Sequence, residues 1–372
     1  MRSDIYYRPV GFLAYRRPAR QEEVEVRRRG PPAGLVGLDF SAYEVIERRG
    51  GGLLHVTAGN ANDFYERDWG SATEPLFEAI ERVYAERMPL AGLSLDRVRI
   101  MGIVNVTPDS FSDGGALPDA AAAIARALEL EAEGADILDI GGESTRPGAA
   151  PVPLEEELRR VLPVIEGLAG RTNARLSIDT RKAEVMQRAA AAGADVVNDV
   201  SALTYDPAAL ETVAELERPV VLMHALGDPR TMQDDPRYDH VLLDVFDYLS
   251  ARVAACEAAG IPRRRIVVDP GIGFGKTLEH NLELMAGVSI FHGLGCPLMI
   301  GASRKRFIGT LTGAAEPQAR VFGSVAAALA AAAQGAQIVR VHDVAATRQA
   351  LTVWEAATSG RMRERGPLSA IP

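Results

Sequence analysis

Two carboxylates stand out in the 372-residue sequence by position: Asp179 ends the apolar run 175–178, and Asp269 ends the run 266–268. A carboxylate so placed needs a partner, because a bare charge in a low-dielectric pocket is costly. With Asn198, which follows the run 196–197, the pair suits a flat heterocycle carrying neighbouring N–H donors, since one carboxylate accepts two parallel hydrogen bonds. Pairing of either Asp with an internal Arg or Lys is the alternative. Cations gather later, in Ser303-Arg304-Lys305-Arg306 and at Arg340 with His342. Forked Arg donors fit phosphate oxygens, so this cluster predicts a phosphorylated substrate. A solvated basic surface is the competing reading, but Arg340 alternates with Val339 and Val341 and should share an inward face with His342.

Other motifs lead nowhere. The stretch Gly271 to Thr277 resembles a phosphate loop, yet Pro270 stands where that pattern requires Gly. Its Gly-Ile-Gly-Phe-Gly core lacks the acidic partner and helix start of a dinucleotide site. The six histidines include no H-E-x-x-H and no Cys/His pair of zinc spacing. His224 and His240 have no evident nucleophile neighbour and read as structural.

The elements that must position these residues recur with a rhythm. From Arg97 onward, an apolar run, a polar or Gly-rich loop and an Ala- or Leu-rich stretch repeat eight times, with runs at 100–104, 137–140, 175–178, 196–197, 220–223, 266–268, 298–300 and 338–341. Gly134, Gly193 and Gly335 fall where helices should end. Continuous apolar strands covered by helices imply a parallel sheet, and eight units in this length fit a (β/α)8 TIM barrel, with an open doubly wound sheet as rival. In such barrels chemistry sits on the loops after the strands. The polar sets all fall there, beginning with Asn105 to Gly115 after the first run and Gly141 to Gly148 after the second.

Residues 1–97 differ in texture, with Arg clusters at 16–17 and 27–29 and a Gly run at 50–52. Only two pieces look ordered: a short strand at 53–56 and an amphipathic helix at 73–88 with Leu76, Ile80 and Val83 on one face. We divide the chain into an N-terminal extension (1–97), a barrel (98–360) and a C-terminal tail (361–372). A net charge of −9 argues against a general nucleic-acid binder. Two cysteines without metal spacing and no long apolar run predict a cytoplasmic protein without a membrane span.

Five motifs taken together resemble the dihydropteroate synthase family: residues 101–115, Gly-Gly-Glu-Ser-Thr-Arg-Pro-Gly at 141–148, Asp269 to Lys276, Ser303-Arg304-Lys305 and Arg340-Val341-His342-Asp343. The resemblance spans about 98–360, one motif per expected loop. It implies condensation of 6-hydroxymethyl-7,8-dihydropterin diphosphate with 4-aminobenzoate by a dissociative, Mg2+-assisted displacement that needs no general base. It also implies roles. Asp179, Asn198, Asp269 and Lys305 grip the pterin, near Met223 and Phe274. Asn105, Arg340 and His342, with Ser303, hold the diphosphate and Mg2+, Asn105 as metal ligand. Phe111, Thr145, Arg146 and Pro147 enclose aminobenzoate, and Asp109 and Asp113 order the first loop. Asn105, Asp109, Thr145, Arg146, Asp179 and Lys305 form the catalytic set, and a homodimer is expected. The family often has Ser after Ser-Arg-Lys, whereas this chain has Arg306, which serves the aminobenzoate carboxylate or points to solvent. A pterin-dependent methyltransferase barrel and a catalytically silent paralogue remain as alternatives.

Overall fold

A computed structural model describes residues 4–14, 38–49, 53–60, 63–106, 120–144, 149–227 and 231–360. Eight parallel strands, β4 (Arg99–Asn105), β5 (Ile137–Gly141), β6 (Arg175–Asp179), β7 (Val196–Asp199), β8 (Val220–Met223), β9 (Ile266–Asp269), β10 (Met299–Ile300) and β11 (Ile338–Val341), pair in the order β10-β11-β4-β5-β6-β7-β8-β9. The ends meet at a parallel bridge between Val268 and Leu298, with the Val268 N–H donating to the Pro297 carbonyl at 2.9 Å. The sheet therefore closes into the expected (β/α)8 barrel and not an open sheet.

Helices α2 (Ala120–Ala132), α3 (Leu154–Leu168), α4 (Ala183–Ala192), α5 (Ala209–Leu216), α6 (Val241–Ala258), α7 (Leu278–Ala286), α9 (Val321–Ala332) and α10 (Val344–Ser359) return the chain between strands, with a short α8 (Arg306–Thr312) after β10. Period-two alternation sorts the strand residues. Leu138, Ile140, Ile178 and Val197 face the helices, while Met101, Ile137, Val196, Val221, Val267, Met299 and Ile338 form an apolar floor inside the barrel. A tight turn at Leu90–Leu93 seals that floor from below with Leu90 and Leu95.

Ahead of the barrel, β1 (Ile5–Ala14), β2 (Leu38–Arg49) and β3 (Leu53–Asn60) form an antiparallel sheet. Of these, only the start of β3 was expected from sequence. In β1 and β2, Arg8, Pro9 and Gly11 and then Glu44 and Glu47 interrupt the apolar pattern. Tyr6 and Ile46 join the barrel's main core, while Tyr7, Tyr43 and Val45 pack with Phe64 against Leu76, Ile80 and Val83 of α1 (Thr73–Tyr84). That helix ends four residues before the expected 88. Ala85 turns extended, and the buried Arg87 donates to the Arg82 and Ala85 carbonyls at 3.0 and 2.7 Å, capping the helix end.

Candidate active site

Above the apolar floor the inward positions turn polar. Ile137 gives way to Asp139 on β5, Ser177 and Asp179 follow on β6, Asn198 follows Val196 on β7, Asp269 follows Val267 on β9, and Arg340 follows Ile338 on β11. Asp139 is fully buried and accepts from Ser177 Oγ at 2.6 Å, Asn198 Nδ2 at 2.9 Å and Arg340 Nε at 2.6 Å. Arg340 Nη2 donates to Asp179 Oδ2 at 2.7 Å. Burial opposes the Arg340 charge, but Asp139 and Asp179 outweigh it and hold the guanidinium above its ordinary range. Burial, against the pull of Arg340, pushes Asp179 up to about 7.

The chain after β9 supplies the opposite wall. Gly271 has φ +68°, and a Cβ there would lie 1.9 Å from the His224 carbonyl oxygen, so only glycine fits. At Gly273, φ +84°, a Cβ would lie 2.9 Å from the Lys305 side chain. These turns bring Lys305 Nζ to the Ile272 carbonyl and within 4.3 Å of the Phe274 ring centroid. Burial lowers Lys305 to about 7, despite Asp269 nearby. Asp269 itself is raised by burial, against Lys305 and the Gly271 N–H, which it accepts at 2.7 Å. Beneath, Lys276 Nζ meets His224 Nδ1 and the Phe274 carbonyl, each at 2.9 Å. Burial, with Lys305 close by, holds Lys276 well below the usual lysine range. Burial, with Lys276 beside it, does the same to His224 among histidines. Met223, buried at the end of β8, abuts this turn.

The cations expected on one rim divide instead. Arg304, at φ +56°, turns to Asp343, bonding it through Nε at 3.0 Å and Nη2 at 2.5 Å. Arg306 points to solvent. Arg340 is inward, as its alternation required, but its partners are carboxylates, because the buried Asp139 draws it into the barrel. Ser303 Oγ accepts the His342 N–H and lies 3.1 Å from His342 Nδ1. Asn105, half-buried at the end of β4, has no side-chain hydrogen bond among the described residues. Asp109, Phe111, Asp113, Thr145, Arg146 and Pro147 lie outside the described residues.

Asp139 and Ser177 were not singled out from sequence, because each hides inside an apolar run. Their signal was strand parity: both share the inward face with Gly141 and Asp179. Also missed was Glu143, buried at the start of the second Gly-rich loop. It accepts from Arg181 Nη2 at 2.8 Å, Lys182 Nζ at 2.9 Å and the Val152 N–H at 3.2 Å, which ties one flank of the loop to the other.

A closed parallel barrel whose mouth is lined by two Asp, one Asn and a Lys of lowered pKa presents acceptors that suit a flat, N–H-rich heterocycle. The chain belongs to the pterin binding enzyme family, whose model matches residues 101–342. It is 48% identical over 273 residues to the dihydropteroate synthase of Escherichia coli (strain K12), covering 73% of this chain and 96% of that protein. A structure of Xanthomonas albilineans dihydropteroate synthase with 4-aminobenzoic acid superposes with a TM-score of 0.69 at 57% identity, covering 72% of this chain and 97% of the other. The same enzyme in complex with 7,8-dihydropteroate gives 0.66 at 54% identity, covering 72% and 96%.

Proposed function

We propose that this protein is a transferase of folate biosynthesis that condenses 6-hydroxymethyl-7,8-dihydropterin diphosphate with 4-aminobenzoate, giving 7,8-dihydropteroate and diphosphate. The observation that carries this reading is the convergence of Asp179, Asn198, Asp269 and Lys305 on one barrel mouth, in a chain about half identical to dihydropteroate synthases over nearly their full length. Asp179, Asn198 and Asp269 accept from the pterin N–H groups, and Lys305 with Phe274 flanks the ring. Ser303, His342 and Arg340 receive the diphosphate.

The methylene C–O bond breaks first, its electron pair leaving with the diphosphate, and the pterin spreads the positive charge left on the methylene. The aminobenzoate nitrogen then forms the new C–N bond with its lone pair and releases a proton to water. An aromatic amine is largely unprotonated at neutral pH, so no strong base is required, and the buried His224–Lys276 pair is structural. Asp109, Phe111, Thr145, Arg146 and Pro147 are assigned to the enclosure of aminobenzoate by resemblance.

The residues present fit a magnesium ion. No cluster of three or more His, Cys, Asp or Glu among the described residues could hold a metal, but Mg2+ commonly takes one protein oxygen, substrate phosphate oxygens and water. The unpaired amide of Asn105 would supply that oxygen. Bound there, the ion would neutralise charge on the departing diphosphate.

We also read the protein as a homodimer. Leu311 on α8, Phe322 on α9 and Val353 on α10 are 56%, 88% and 63% exposed on adjoining helices, and such a patch favours a second copy. A cytoplasmic location fits the two free, buried cysteines, Cys256 and Cys296, and no helix among the described residues is long and apolar enough to cross a membrane. Residues 1–97 are read as an appendage to the catalytic barrel.

The test is Mg2+-dependent diphosphate release from the pterin diphosphate by full-length protein, with and without 4-aminobenzoate. Matching formation of dihydropteroate is expected. Pterin binding without product would place the chain among silent paralogues.

A further inference from the structure

We infer that Asp139 is a positioning residue of the pterin pocket, which from full burial dictates the face of the Asn198 amide and the edge of the Arg340 guanidinium that a ligand meets. The inference depends on the pterin reading above. Asp139 is 0% exposed and is reached from three other strands: Ser177 Oγ on β6 bonds Oδ1, while Asn198 Nδ2 on β7 and Arg340 Nε on β11 share Oδ2.

A carboxylate beside a guanidinium only accepts hydrogen bonds, so the Asn198 amide must turn its NH2 inward. Its carbonyl oxygen is then left toward the pocket and makes no hydrogen bond among the described residues. Together with Asp179 and Asp269 it completes a lining of acceptors, which matches a heterocycle presenting N–H donors and disfavours one presenting lone pairs. Without Asp139 the nearly isosteric flipped amide would be equally available and would offer a donor. The same carboxylate anchors Arg340 by Nε, which leaves the two Nη groups, of which Nη2 meets Asp179, for substrate. Leu138 and Ile140, on either side of Asp139, belong to the apolar core outside the barrel, which explains a lone Asp within an otherwise apolar strand.

The experiment is a double-mutant cycle on the full chain, with 6-hydroxymethyl-7,8-dihydropterin diphosphate as the calorimetric probe. Asp139→Asn keeps the shape and removes the charge. It should weaken pterin binding by ~10-fold or more, while KM for aminobenzoate at saturating pterin stays unchanged. In an Asn198→Ala background the same substitution should weaken binding by clearly less than in the wild-type background, because the amide it orients is gone and only its hold on Arg340 is left to lose. A merely structural role would give additive effects, and additivity, or wild-type affinity in a folded Asp139→Asn protein, overturns the inference. Should Asp139→Asn fail to fold, Ser177→Ala decides: a roughly threefold loss of pterin affinity at unchanged melting temperature is expected, and no loss overturns the inference. If the wild-type protein itself binds no pterin, the functional reading fails first and the inference goes with it.

Discussion

Arg340 Nη2 donates to Asp179 Oδ2 at 2.7 Å, joining the last barrel strand to the third across the mouth of the site. The cation assigned to diphosphate and the carboxylate assigned to pterin thus satisfy each other in the free protein. With the roles proposed above, a pterin that offers its own N–H donors to Asp179 would compete with this bond and free Nη2 for the diphosphate.

Titration of Asp179 should then be visible in binding. Asp179 can accept N–H donors on both oxygens only when ionised, and with its pKa at about 7 a proton competes with pterin below that pH. Lys305, lowered to about 7, loses its charge above it. Affinity for the pterin diphosphate should therefore peak near neutrality and fall on each side by up to ~10-fold per pH unit. Calorimetry across the neutral range should show the acid limb vanish in Asp179→Asn and the alkaline limb in Lys305→Met. An acid limb that survives in Asp179→Asn would remove that residue from the acceptor set.

Metal removal separates two parts of the site. Chelation should cut turnover at least ~100-fold, while binding of 6-hydroxymethylpterin, which lacks the diphosphate, stays the same. Asn105→Ala should raise the Mg2+ concentration needed for half-maximal rate by on the order of 10-fold. If Asn105→Ala left the Mg2+ titration unmoved, the ion would not be held by that amide.

The turn after β9 tolerates no side chain at Gly271. Its φ of +68° and the 1.9 Å approach to the His224 carbonyl oxygen should make Gly271→Ala destabilising by more than ~2 kcal/mol. Because the same turn seats Phe274 beside Lys305, pterin affinity should fall with stability. Chemical denaturation and calorimetry on one preparation test both.

Attachment of the N-terminal sheet is separable from catalysis. Tyr6 Oη donates to both carboxylate oxygens of Asp247 on α6, at 3.1 and 2.9 Å, and Arg48 Nη2 reaches Asp247 and Asp244 at 3.1 and 2.9 Å. Tyr6→Phe should lower stability by about 1 kcal/mol, since Asp247 keeps Arg48 as partner. The contact is on an outer helix, so kcat/KM should not change. A fall in kcat/KM would tie the extension to the active site.

The barrel was legible because each strand is an apolar run and each following loop is polar, a contrast that one parallel sheet covered by helices imposes along the whole chain. Asp179, Asn198 and Asp269 were legible for the same reason, since each stands where apolar gives way to polar. Asp139 and Ser177 were not, because inside a run the flanking core residues mask an inward polar side chain. Strand alternation placed Arg340 inward, but the partners of Arg304 and Arg340 were assigned by charge, and only tertiary contacts reveal that Asp343 and Asp139 claim them. The strands β1 and β2 were illegible because Arg8, Pro9 and Gly11 break the apolar run in β1 and Ser41, Glu44 and Glu47 break it in β2.

The most exposed large apolar side chain among the described residues is Phe322, at 88%, on α9, a helix that adjoins α8 with Leu311 and α10 with Val353. Leaving three such groups in water is unfavourable at ~25 cal/mol per Å2, and a twofold contact would bury each of them twice. Phe322→Glu places two like charges across that contact and should convert a dimer to monomer in light scattering at micromolar concentration. Because α9 carries Phe322 on the outside and Ser324, which bonds the Arg304 N–H at 2.8 Å, on the inside, dimer loss should leave the pterin affinity of the monomer within ~3-fold of wild type. A wild-type protein that runs as a monomer at these concentrations would assign the patch to some other contact.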